Sequence, residues 1–120
     1  SRGLGDVYKR QLRDDCKAVL PADYTMLAAN QIKLFANFDK MRILEYLTLN
    51  GASCVSDIVA GIESEQLKVS QNLKRLRDDG FVVCHREGRY IIYDITPGVH
   101  KTAIQCIHKR YDSLKNKDDF

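Results

Sequence analysis

The chain has no CxxC pair. Its four cysteines, Cys16, Cys54, Cys84 and Cys106, are scattered, which argues against a zinc knuckle and against the disulfide framework of a small secreted domain. No apolar stretch approaches the ~20 residues of a membrane-spanning helix, and no charged-then-apolar segment opens the sequence. A reducing cytoplasm is therefore the expected compartment. There is no glycine-rich phosphate loop, no Ser/His/Asp arrangement in a strand–turn context and no paired carboxylates on a recognisable scaffold. The chain is accordingly not expected to be an enzyme. Charge of one sign is scarce as well. Nineteen Lys+Arg against sixteen Asp+Glu leave a net charge of +3, a mild excess and weak support for a nucleic-acid partner. No internal repeat is present.

What remains is one small globular domain. The length of 120 residues allows one core and not two. A core of that size has little to spare, so pairing with a second copy would help. Hydrophobic residues make up 44% and charged residues 29%, as expected of a soluble fold. Residues 1–20 are expected to form a disordered arm, within which SRGLGDVYKRQ (1–11) reads as a translated adapter remnant without periodicity. Residues 21–116 are expected to fold, and 117–120 to form a frayed charged tail.

Periodicity divides the folded part. Pro21 suits a helix start, and Met26 or Leu27, Ile32 and Phe35 recur at helical spacing after it. Asp39 opens a second helix, DKMRILEYLTLN, closed by Gly51. Ser53 is the expected N-cap of a short third helix, CVSDIVAGI. A polar turn leads to a fourth helix, EQLKVSQNLKRLRDD, stopped by Gly80. The pattern then switches to two β-rich runs, FVVCHR and RYIIYDI, with Glu87-Gly88 as a two-residue hairpin signal. Pro97 starts a last helix. A helix–turn–helix followed by a hairpin is a winged helix: mainly α, with a small β-hairpin.

The fourth helix carries the chemistry. Val69, Leu73 and Leu76 fall in one arc and must face the core. The opposite arc holds Ser64, Leu67, Lys68, Gln71, Lys74 and Arg75. Glutamine pairs with an adenine edge, Lys or Arg with guanine, and an exposed leucine touches a thymine methyl. The plainer reading of such an arc is a solvated charged face. The tip REGR favours DNA, because Arg86 and Arg89 flank the turn as on a groove-inserting wing. The expected contact set is Ser64, Gln66, Leu67, Lys68, Ser70, Gln71, Asn72, Lys74, Arg75, Arg86 and Arg89. Glu65 at the helix start opposes a phosphate there, but a helix N-terminus favours a carboxylate on its own account.

NFDKMRILEYL, ASCVSDI, VSQNLKRLRDDGFV and REGRYIIYDI, in that order, resemble the ArsR/SmtB family of winged-helix repressors over about residues 30–96. The chain departs from the family pattern at Phe38, where proline is usual, at Lys40 in place of Arg, and at Glu65 in place of Ser. The resemblance implies a homodimer formed by the first and last helices, bound to an imperfect palindrome of double-stranded DNA. The apolar stripe Val99, Ala103, Ile107, Tyr111 and Leu114 agrees independently, since the core alone does not obviously consume it.

The resemblance also implies where a switch would lie. The family's Cys-x-Cys box at the third helix keeps its first cysteine as Cys54 and has Ser56 for its second. Cys16 in the arm is the candidate partner, and a soft metal ion, a metalloid or an oxidant is the expected stimulus. The alternative is that Cys54 is a small apolar residue tucked under the recognition motif. The family's Asp-x-His…His-x-x-Glu/His zinc set finds only His100. No second histidine lies near Arg110–Leu114, and His108 is out of register, so that site is not expected. Cys84 reads as a core filler, Cys106 as a packed residue of the last helix, and Tyr90 and Tyr93 as wing and core packing. Two other functions stay open: a DNA-binding regulator that needs no ligand, and a winged-helix protein-interaction module without DNA. An interaction module would more often show apolar residues at positions 68, 71, 75 and 89.

Overall fold

The computed structural model describes residues 17–117; Cys16, residues 1–15 and the last three residues lie outside them. Helix α1 (Ala22–Phe35) begins directly after Pro21, whose carbonyl accepts the first turn's N–H groups from Tyr24 and Thr25. Helix α2 runs Phe38–Asn50, one residue earlier than expected, because Asn37 is its cap. The Asn37 Oδ1 accepts the Lys40 N–H at 2.9 Å, satisfying one of the orphan donors of a helix start. Lys40 Nζ reaches back to the Leu34 carbonyl at 2.9 Å and ties the corner between the two helices. Gly51 ends α2 at φ 79°, a backbone state that glycine adopts without steric cost.

Ser53 is not a helix cap. Ser53–Cys54 form a short strand, β1, antiparallel to β3 (Tyr90–Ile95), with Ser53 opposite Tyr93 and Cys54 opposite Ile92. The Ser53 hydroxyl donates to the Gly51 carbonyl at 2.9 Å, away from the helix that follows. That helix, α3, spans Val55–Ile62, with Cys54 as its extended N-cap residue. Glu63 then takes a left-handed conformation (φ 54°, ψ 50°) and turns the chain into α4 (Gln66–Asp78). Strand β2 (Val82–Glu87) pairs with β3 from Val82–Ile95 to Glu87–Tyr90, giving a three-stranded sheet of order β1-β3-β2. The hairpin loop is Gly88-Arg89, one residue beyond the expected Glu87-Gly88. Register decides this. Val82 and Ile95 are both buried, and a slip of one residue would turn them out of the core. Gly88 at φ 63° supplies the positive φ that a tight hairpin needs at its first loop position.

The core lies between α2, α3, α4, the base of the sheet and the start of α5 (Val99–Asn116). Leu44, Ile58, Leu73, Leu76 and Ile104 are fully buried, each contributing about 1.5–3 kcal/mol of burial. Phe35 and Phe81 meet edge to face, with ring centroids 5.3 Å apart. Phe35 is also the one buried residue of α1. Among the described residues, no helix is long and apolar enough to cross a membrane.

Candidate nucleic-acid interface

Helices α3 and α4, joined through Glu63–Glu65, form the helix–turn–helix. Burial of Val69, Leu73 and Leu76 fixes the rotation of α4, as the spacing predicts. Gln66, Leu67, Lys68, Gln71, Lys74 and Arg75 are consequently exposed along the outer side, Leu67 at 68%. Three of the expected contact residues are placed differently. Ser64 is half-buried in the turn ahead of α4, not on the helix. Ser70 and Asn72 are half-buried flank positions, and the Asn72 amide donates to the Lys68 carbonyl at 3.0 Å within its own helix. Glu65 is the N-cap residue of α4 and makes no side-chain capping bond.

Two contacts were not visible in the pattern. Lys68 Nζ lies 3.9 Å from Asp39 Oδ1 of α2. Arg77 Nη1 donates to Cys84 Sγ at 3.6 Å, linking the end of α4 to the wing. The bond to Cys84 is the largest cause that raises the Arg77 guanidinium pKa above its ordinary value. Neighbouring Tyr93, opposite Cys84 in the ladder, has its phenol pKa raised by burial. Cys84 is therefore half-exposed and hydrogen-bonded, not a core filler.

At the wing tip, Arg86 and Arg89 have different surroundings. Arg86 belongs to β2, and its Nε donates to the Gly88 carbonyl at 3.1 Å, bracing the turn. Arg89 is in the turn itself, its guanidinium 5.5 Å from the centre of the half-exposed Tyr90 ring. His85 Nε2 and Glu87 Oε2 meet at 2.6 Å along the same edge. Tyr93 packs against the core.

Of the two candidate switch residues, Cys54 alone lies among the described residues. Cys54 is half-buried with Sγ 3.2 Å from Ser56 Oγ, while Cys16 lies outside the described residues. No group of three or more His, Cys, Asp or Glu side chains able to hold a metal ion occurs among the described residues. His100 is buried and hydrogen-bonded in the core, and His108 Nε2 meets Glu45 Oε2 of α2 at 2.7 Å. On α5, Val99, Ile107 and Tyr111 are 39–48% exposed, Ala103 and Leu114 are half-buried, and Cys106 is exposed. On α1, Met26 and Leu27 are more than half exposed.

No protein-family model matches the chain. Individual proteins do. The transcriptional activator HlyU of Vibrio cholerae is 31% identical over 80 residues, which are 67% of this chain and 73% of HlyU. The arsenical resistance operon repressor of Escherichia coli is 24% identical over 92 residues, 77% of this chain and 79% of the repressor. This chain belongs to the ArsR/SmtB family of winged-helix, DNA-binding transcriptional regulators. The fold agrees: the crystal structure of AntR, an antimony-specific transcriptional repressor, superposes with a TM-score of 0.74 over 85% of this chain and 92% of AntR, at 22% identity. In this ArsR/SmtB regulator α4 is the second helix of the helix–turn–helix, and β2–β3 is the wing.

Proposed function

We propose that the protein is a homodimeric operator-binding repressor that reads an imperfect palindrome with its two α4 helices. The domain that does so spans residues 21–116. The observation that carries the reading is the outer side of α4. Three buried aliphatics aim Lys68, Gln71, Lys74 and Arg75 away from the core, on the element that a helix–turn–helix inserts into the major groove. Gln71 suits an adenine edge, Arg75 a guanine, and Leu67 a thymine methyl. Arg89 at the wing tip suits a phosphate or the minor groove. Asn72, Ser64 and Ser70 keep a flanking role at most, because they are half-buried. Dimerisation through Val99, Ala103, Ile107, Tyr111 and Leu114, with α1 alongside, explains why Val99, Ile107 and Tyr111 stay exposed on α5. Among the relatives, the E. coli protein is named a repressor of arsenical resistance and AntR an antimony-specific repressor. A thiophilic metalloid, a soft metal ion or an oxidant acting at Cys54 with Cys16 is the stimulus we assign.

The test is binding of a duplex pool by the intact protein, with enrichment of a symmetric site. Arg75→Ala/Arg89→Ala should weaken the selected duplex at least tenfold and flatten the salt dependence, by about 0.9 in log–log slope per lost phosphate contact. Equal binding of all duplexes by wild type and double variant would instead favour a protein-interaction module.

A further inference from the structure

Asp39 and Lys68 meet across two helices without a structural need to do so. Each sits in the first turn of its helix, and the pair is 3.9 Å apart with side chains 43% and 50% exposed. Ion pairs this exposed add little to stability. Helix α2 is already capped by Asn37 and packed through Ile43, Leu44 and Leu47. The carboxylate does change the charge at the leading end of α4. Lys68 is the one cation in the segment Ser64–Asn72, and Glu65 stands beside it as the N-cap. With Asp39 added, the side chains at that end of the helix carry no net positive charge.

The consequence differs for phosphates and bases. Affinity for arbitrary duplex comes from cations that replace condensed counterions on phosphate. A lysine already paired to a carboxylate gains less there, and it brings Asp39 towards the phosphate charge. A guanine edge is neutral, so a Lys68 ammonium can donate to it while Asp39 still stabilises the ammonium from behind. We infer that Asp39 is a specificity-determining positioning residue, which acts through Lys68 to weaken binding to arbitrary DNA more than binding to the operator. This rests on the DNA-binding reading above.

Two probes separate the possibilities: a mixed-sequence duplex, and the duplex that the wild type selects from a random pool. Affinities are measured over a salt series for wild type, Asp39→Asn, Lys68→Met and the double variant. Asp39→Asn should bind the mixed duplex about two- to fivefold tighter, the range an exposed pair can supply. Its log–log salt slope should steepen by up to about 0.9 per subunit. The selected duplex should gain less, so the ratio of the two affinities falls. In the Lys68→Met background the same Asp39→Asn change should have no effect. An unchanged slope and affinity for the mixed duplex, an equal gain on both probes, or a gain that persists without Lys68 would each overturn the inference. Wild type that binds neither probe would overturn the DNA-binding reading itself, before any variant is compared.

Discussion

His100 Nε2 lies 3.1 Å from the carbonyl oxygen of Phe81, joining the start of α5 to the base of the wing. The carbonyl can only accept, so the proton is on Nε2. Thr96 Oγ1, also 3.1 Å from Nε2, spends its own proton on the Gly80 carbonyl and accepts from the same N–H. The ring is 3% exposed and packs against Phe81 and Phe35. Gly98 makes room for it: a Cβ there would stand 2.8 Å from the imidazole. The residue closest to a metal-ligand position in the sequence is thus committed to the core.

Burial, the larger cause, and the charge of Lys101 hold the His100 pKa below the ordinary value of 6.5, against the pull of its two hydrogen bonds. A folded-state pKa below the unfolded one means that the unfolded chain binds the proton more readily. The stabilisation is complete above about pH 6.5 and is lost as pH falls through the lower folded value. Urea midpoints should therefore decline on acidification through this window. His100→Gln should lose about 1–3 kcal/mol at neutral pH and show a flatter decline. A midpoint in wild type no more pH-sensitive than in the variant would contradict this.

Ile107→Asp places a carboxylate on the exposed apolar face of α5, and Leu114→Asp places one at a half-buried position about two helical turns further on. Neither residue belongs to the buried core, so the monomer should still fold. Burying the unpaired charge in a dimer would cost about 2 kcal/mol or more. Sedimentation should show monomers, and affinity for the selected duplex should fall with them. Stable dimers of both variants would put the interface elsewhere.

Cys54 is the extended N-cap residue of α3 and is half-buried. The Ser56 hydroxyl, 3.2 Å from its Sγ, is a poor ligand for a soft ion. Cys16 is the second thiol we assign. Release of the selected duplex by arsenite, a soft metal ion or peroxide should be abolished in Cys54→Ser and weakened in Cys16→Ser. Cys84→Ser should respond as wild type does. A full response from Cys54→Ser would leave the thiol as packing and place any ligand at another site.

Among the described residues, Glu63 is the only non-glycine with positive φ. A side chain in that region costs roughly 1–2 kcal/mol, partly offset because glycine loses more freedom on folding. Glu63→Gly should raise the urea midpoint by about 0.5–1 kcal/mol of stability at constant m, while Glu63→Val should lower it. A destabilised glycine variant would show that the Glu63 side chain makes a contribution larger than its backbone strain.

Much of the fold was legible locally. The arc Val69, Leu73, Leu76 gave the rotation of α4, and Gly51 and Gly80 marked the ends of α2 and α4, because helical periodicity and glycine's backbone freedom act within a few residues. The exposed set Lys68, Gln71, Lys74 and Arg75 followed from that rotation. Strand β1 did not, since two residues carry no period and Ser53 resembles a cap until β3 is beside it. The hairpin tip moved by one residue because burial of Val82 against Ile95 sets the register, a condition invisible at the tip. Cys84 gained Arg77, Lys68 gained Asp39, and His100 was drawn between two phenylalanines, all by packing of segments distant in the chain. Residue spacing states which side of an element is apolar. Only the closed core decides what that side meets, because burial is a property of all the elements at once.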